Sequence, residues 1–178
     1  TFNGIIPLPT DLASWILANV QQYGFYRVNY HLGNWRALAM QLQRRLSTIP
    51  PVSRAQIIDD AFSLARVGRI QYDTAFSIVE YLDKERDYIP WSAALSQLWM
   101  LESLLYNNTI DYTNFQNFIK SKLADPFNHF GLVKFTQNPV DLLTQSLIAW
   151  HSCHYGVNSC VDEATRQFRQ WMTNASRN

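Results

Sequence analysis

Val52-Ser53-Arg54-Ala55-Gln56-Ile57-Ile58-Asp59-Asp60-Ala61-Phe62 reads as the opening of a helix, and its period governs most of the chain. Ser53 and Gln56 have the spacing of a capping box, and Val52 and Ile57 are placed to staple its flank. Gly68 falls where a left-handed residue would stop that helix. Upstream, Trp35, Leu38, Ala39, Leu42 and Leu46 form one apolar stripe from Asn34 to Pro50-Pro51. Downstream, Asp73 is placed to cap a helix carrying Phe76, Val79 and Leu82. Pro90 suits the first turn of the next, which carries Trp91, Leu95, Leu98, Leu101 and Leu105. Asp111 is placed to cap a fifth helix through Tyr112, Phe115, Ile119 and Leu123, ended by Asp125-Pro126. Residues 126–137 carry no clear period. Asn138-Pro139 opens a sixth helix that runs to Gly156, and a seventh starts near Ser159 with Val161, Ala164, Phe168 and Trp171.

Residues 1–30 have a different rhythm. Ser14–Val20 and Gly24–Tyr30 are short, aromatic and β-branched, and the segment between them is of hairpin length. Two strands alone are not stable in water, so this pair must complete a sheet or pack on the helices after it. The predicted fold class is therefore mainly α: antiparallel helical hairpins stacked in a solenoid-like array, preceded by a short β-hairpin. No strict sequence repeat is present, which leaves a single irregular bundle as the other architecture.

A chain of 178 residues can bury a sizeable core in one domain. The formal net charge of +1, with signs mixed along the chain, lacks the basic stripe of a nucleic-acid binder. No apolar run reaches the roughly 18 residues of a membrane span. The chain opens on Thr1 with no secretory leader pattern, as expected of a mature fragment.

Chemistry-bearing residues are sparse. The four histidines are His31, His129, His151 and His154, and none is followed by Glu. The H-E-x-x-H pattern, which brings two zinc ligands and a base to one helix face, is therefore missing. Cys153 and Cys160 stand seven apart across Gly156. With His151 and His154 they could form a small metal site, although H-x-C-H-x5-C matches no familiar zinc pattern; a local disulfide and two buried thiols are the other readings. Asp59 and Asp60 are helix neighbours pointing about 100° apart, unsuited to act as a paired acid and base; the expectation is that one is solvated while the other pairs with a neighbouring Arg or caps a helix end, and that Arg27 makes a structural ion pair or a backbone-carbonyl contact. There is no G-x-S-x-G elbow and no Gly-rich phosphate loop. Asn107-Asn108-Thr109 and Asn174-Ala175-Ser176 are glycosylation sequons, which lean toward an extracellular chain.

Four ordered motifs then carry a resemblance. Trp15-x3-Asn19 with Gly24-Phe25-Tyr26-Arg27-Val28-Asn29-Tyr30 and Asn34-Trp35 is the first. Arg54–Phe62 with Leu64-Ala65, Gly68 and Ile70 is the second, and Tyr88-x-Pro90-Trp91-x2-Ala94-Leu95 the third. Cys153-x2-Gly156-x3-Cys160-x3-Ala164-x3-Phe168-x2-Trp171 completes the series. Together they resemble the zinc aminopeptidase N family, with the flavour of insect gut surface enzymes.

The resemblance implies that residues 1–30 are the end of a β-sandwich domain and 31–178 the first part of a helical C-terminal domain. In such enzymes this domain forms a bowl that limits substrate access, while zinc and the catalytic residues lie in an earlier domain. It implies no catalytic or metal residue and no cofactor in this chain, zinc in the parent, and an exopeptidase activity of the parent. The implied partners are the catalytic and β-sandwich domains, peptide substrate, and a possible toxin, virus or antibody. The parent would be extracellular, on a glycolipid or single-span anchor. The resemblance also implies a Cys153–Cys160 disulfide and structural roles for Gly24, Tyr26, Arg27, Asn29, Tyr30, Arg54, Asp59, Asp60, Pro90 and Trp91. Two departures stand out. His31 replaces the usual Asp, leaving Asn34 to cap the first helix, and no Arg stands in Thr144–Ser146, where related sequences often carry one.

Overall fold

The computed structural model describes residues 15–107, 109–133 and 137–173. Seven α-helices succeed one another among them: α1 Leu32–Arg45, α2 Pro51–Arg66, α3 Tyr72–Val79, α4 Tyr88–Leu105, α5 Thr109–Phe130, α6 Pro139–His154 and α7 Asn158–Thr173. Helix α2 packs on α3 and α4, α1 on α3, α5 on α6 and α7, and α6 on α4 and α7. One continuous core results. Trp35, Leu38 and Leu42 of α1 join Ile58, Ala61 and Phe62 of α2, and the core continues through Trp91 and Leu98, Ile119 and Leu123, to Ile148 and Cys160.

The helix stops at Gly68 and Gly156 are as the sequence pattern predicts. Both glycines take φ +70°, a left-handed conformation that a Cβ would strain. At each, the next N–H reaches back to the last turn: Arg69 to the Leu64 carbonyl at 2.9 Å and Val157 to Ser152 at 2.8 Å. This is the Schellman pattern, which satisfies carbonyls a helix end leaves orphaned. Asn138 caps α6 by accepting from the Val140 N–H at 3.0 Å.

Several local expectations are corrected. The capping box does not form: α2 begins at Pro51 with Pro50 preceding it, and Ser53 lies fully buried inside the first turn. Ser53 Oγ instead accepts from the Gln21 N–H at 2.9 Å, while Gln56 Nε2 donates to the Ala18 carbonyl at 3.4 Å. Both residues have been turned from capping their own helix to holding the segment before it. Asp73 and Asp111 lie within the first turns of α3 and α5, where a carboxylate favours the helix dipole without being the cap. His31 Nδ1 caps α1 by accepting from the Gly33 N–H at 3.2 Å, so Asn34 is not needed there.

Helix α5 does not end at Asp125-Pro126 but continues to Phe130. Proline forfeits one backbone hydrogen bond and crowds the preceding turn. Against that cost, Phe127 and Phe130 are buried beyond it, and Gln145 Nε2 donates to the Phe130 carbonyl at 2.9 Å. Burial of two aromatic rings outweighs one lost bond.

No strand forms over residues 15–30, so the expected hairpin is absent there; Ser14, its first residue, lies outside the described residues. The donors that would pair in a hairpin are taken by side chains. The Ile16 N–H donates to Asn34 Oδ1 at 2.7 Å, Ala18 to the Tyr30 hydroxyl at 2.9 Å, and Val28 to Asp60 Oδ2 at 3.1 Å. Local side-chain bonds have displaced a sheet ladder that lacked a third strand.

Candidate functional site

The segment 15–30 lies along α1 and α2 and is held by side chains that the sequence spaces for that purpose. Trp15 Nε1 donates to Gln41 Oε1 at 3.1 Å, and Asn34 Nδ2 returns a bond to the Ile16 carbonyl at 2.9 Å. Trp35 Nε1 donates to Asn29 Oδ1 at 3.0 Å, and the Tyr30 ring meets Trp35 edge-on at 5.0 Å. Asn19 organises the turn: its Oδ1 accepts from the Gly24 N–H at 2.7 Å, and its Nδ2 donates to the Gly24 carbonyl at 2.8 Å and the Tyr26 carbonyl at 3.3 Å. Asn19, Gln21 and Gln22 all have positive φ, a conformation Asn tolerates better than most residues. Gly24 lets the largely exposed Tyr26 ring lie close against the backbone, and any side chain there would have to displace it. A Cβ there would lie 2.3 Å from the Tyr26 ring.

Arg27 ties this turn to α2. Its Nη1 donates to both Asp59 and Asp60, the latter at 3.2 Å, and to the Asp59 carbonyl at 3.3 Å. Burial pushes the Asp60 carboxyl above its ordinary 3.8, with the Val28 N–H and Arg27 pulling the other way. Burial also works against the Arg27 charge, but the two carboxylates hold it above its ordinary value. Asp59 takes a further bond from Gln97 Nε2. Beside this cluster a cavity of about 370 Å³ is lined by the turn, with Tyr23 and Phe25 fully exposed and Tyr26 largely so. The motif residues therefore come together as a clasp that leaves an aromatic surface open, not as an acid–base pair.

Arg54 has the opposite environment. It is buried and pairs with Glu85 through Nε and Nη2, while Nη2 also reaches Asp87 Oδ2 at 2.6 Å and Nη1 the Ile49 carbonyl at 2.6 Å. Burial disfavours its charge, and Glu85 more than restores it. The Glu85 carbonyl accepts from buried Trp91 Nε1 at 3.2 Å, and Pro90, also buried, precedes Trp91 in α4. Glu85 and Asp87 are hidden in the sequence because Lys84-Glu85-Arg86-Asp87 has the look of a solvated charge run.

Cys153 and Cys160 are joined by a disulfide between the end of α6 and the start of α7, Cα atoms 5.2 Å apart. His151 Nδ1 lies 2.8 Å from the Leu147 carbonyl, and His154 stacks on Trp150. Among the described residues no group of three or more His, Cys, Asp or Glu side chains could hold a metal ion. The residues present do not fit a zinc site: both sulfurs are spent on each other, and His151 is directed to backbone. Asn107 is exposed, and Asn174 lies outside the described residues. A second cavity, which no sequence pattern marks, lies between α4, α5 and α6 around Glu102.

Comparisons with known proteins agree with the ordered motifs. The chain is 36% identical to aminopeptidase N of Homo sapiens over 169 residues, 92% of this chain and 17% of that protein. Aminopeptidase N of Plutella xylostella is 37% identical over 163 residues, 91% of this chain and 17% of the relative. The thyrotropin-releasing hormone-degrading ectoenzyme of Rattus norvegicus is 36% identical over 172 residues, 92% and 16%. The chain thus spans about a sixth of the length of these curated relatives. The family model for the ERAP1-like C-terminal domain matches residues 15–178, from the Trp15 tie through the disulfide and beyond. By that match, the chain belongs to the ERAP1-like C-terminal domain family.

Proposed function

We propose that this chain is a non-catalytic helical part of a cell-surface zinc aminopeptidase, an exopeptidase that removes N-terminal residues from peptides. The observation that carries the reading is the extent of the match: nearly the whole chain aligns, yet it aligns with only a small part of each relative. The chemistry belongs to the remainder, including zinc, for which these residues supply no ligand set.

Residues 1–30 are read as the end of a β-sandwich domain and 31–178 as the first part of the helical domain. The packing of α1 on α3, α2 on α4, α4 on α6 and α5 on α7 supports a solenoid-like stack. Such a stack, curved over an active site, would restrict which peptides enter. The exposed Tyr23, Phe25 and Tyr26 support a docking role for the turn against the catalytic domain, since an aromatic patch beside a rigid clasp is suited to burial. The disulfide supports an extracellular setting.

The test uses the intact protein. It should release N-terminal residues from peptides in a zinc-dependent manner, and this chain prepared alone should release none. Arg27→Ala in the intact protein should alter turnover of long peptides more than that of an aminoacyl anilide. Hydrolysis by the chain alone, or an intact protein inert with zinc present, overturns the reading.

A further inference from the structure

Three carboxylates are buried among the described residues: Asp60, Glu85 and Glu102. Asp60 has Arg27 and Glu85 has Arg54. Glu102 has no Lys or Arg within 4.0 Å among the described residues. Its basic neighbour is His154, whose Nε2 stands 4.0 Å from Oε1. Only 8% of Glu102 is exposed, and its oxygens accept from the Tyr112 hydroxyl at 3.1 Å and the Tyr155 hydroxyl at 2.7 Å. Two hydroxyl donors fill about half the acceptor positions of a carboxylate and supply no positive charge. A buried carboxylate with no Lys or Arg beside it, and a part-exposed histidine only at 4.0 Å, is incompletely compensated, and here the space beside it is open.

That space is a cavity of about 400 Å³, within the usual range for small-ligand sites. Trp99, Ser103 and Tyr106 of the α4 end, Tyr112 of α5 and His154 of α6 line it with Glu102. Trp99 lies 6.1 Å from Trp150, whose ring is stacked on His154 at 5.1 Å. Trp99 and Trp150 are 52% and 53% exposed. Indole and phenol faces attract cations, and they also cover an aliphatic stem well. A carboxylate at the floor with aromatic walls suits a primary alkylammonium: the charge meets Glu102 and the methylenes lie on Trp99.

We propose that the cavity between α4, α5 and α6 binds a primary alkylammonium group, carried either by a lysine side chain of a peptide or by a free amine, with Glu102 as its counter-ion and Trp99 as its wall. This site stands independently of the aminopeptidase reading.

Calorimetric titration of the full chain with Nα-acetyl-lysine methylamide, n-butylammonium and Nα-acetyl-norleucine methylamide tests it. The lysine compound should bind saturably, and at least about tenfold more tightly than its uncharged norleucine counterpart. Glu102→Gln should lose about tenfold or more, and Trp99→Leu, at an exposed position that leaves the core intact, about fivefold. Equal binding of n-butylammonium assigns the site to free amines; preference for the lysine compound assigns it to peptides. No saturable binding of either amine overturns the proposal. So does norleucine binding equal to lysine, or Trp99→Leu binding as the parent does with its melting temperature unchanged.

Discussion

Arg54 and Glu85 meet in a two-pronged ion pair, Nε to Oε2 at 2.7 Å and Nη2 to Oε1 at 3.0 Å, with side chains 3% and 0% exposed. Glu85 also accepts from the backbone N–H groups of Arg86 and Asp87, so the pair fixes the chain entering α4 as well as α2. Arg54→Ala would leave Glu85 buried without its cation and is expected to cost about 3–5 kcal/mol. Arg54→Lys keeps the charge but loses the fork, and should recover only part of that loss. Asp87→Ala, at a half-exposed partner, should cost under about 1 kcal/mol. Urea denaturation of the three variants checks the order, and a mild Arg54→Ala would refute it.

Asn19→Ala removes three hydrogen bonds to Gly24 and Tyr26 and places a less tolerant residue at φ +53°. A local cost of about 1–3 kcal/mol is expected. Asn19→Gly, which relieves the backbone but still loses the bonds, should fall between the two. Amide exchange over residues 18–28 reports this directly. The expected result is faster exchange there with the amides of α2 and α4 unchanged; uniform acceleration would show the turn to be part of the global unit.

Reduction of the Cys153–Cys160 disulfide opens a short loop, for which chain entropy alone predicts a loss of roughly 2.5 kcal/mol. Cys153→Ser/Cys160→Ser should lower the thermal midpoint accordingly, with α6 and α7 most affected. Mass measurement with and without reductant establishes the bond. An unchanged midpoint after verified reduction would remove its structural role.

His151 is held below its ordinary 6.5, mainly by burial and also by His154, with the Leu147 carbonyl and Glu102 acting in the opposite sense. The folded chain therefore takes up this proton at lower pH than the unfolded chain. Between those two values the unfolded state holds more protons, and stability rises with pH. The contribution is complete above about pH 6.5 and lost as pH falls through the folded value. Relative to His151→Gln, the parent chain should lose stability as the pH falls below about 6.5. Parallel stability curves for the two proteins would contradict this.

The helices were legible because their signals are local. Gly68, Asn138 and Gly156 act within one turn of themselves, and the stripe from Trp35 to Leu42 needs only the helical period. Ser53 and Gln56 show the limit of that reasoning. Their capping pattern is present, but a distant segment competes for the same atoms, and tertiary bonding wins. Pro126 shows the same limit with the opposite result, since burial of Phe127 and Phe130 carries a helix past a residue that locally opposes it. The strand pattern of residues 15–30 gave no sign that Val20–Gln22 would close into a 3-10 turn, or that the segment would be held by α1 and α2 instead of another strand. Glu102 was illegible because its significance lies in which residues are not beside it.

Because residues 15–30 are fastened by separate side chains and not by a ladder of backbone bonds, their resistance to force differs from that of a paired strand. A pull on the Trp15 end would load the Gln41 tie first, then Asn34, then the Ala18–Tyr30 bond, and only later the salt bridges of Arg27. The segment peels stitch by stitch at low tension, and each stitch can close again against helices that have not moved. A neighbouring body attached at that end could be lifted and reseated repeatedly while the helical core stayed folded.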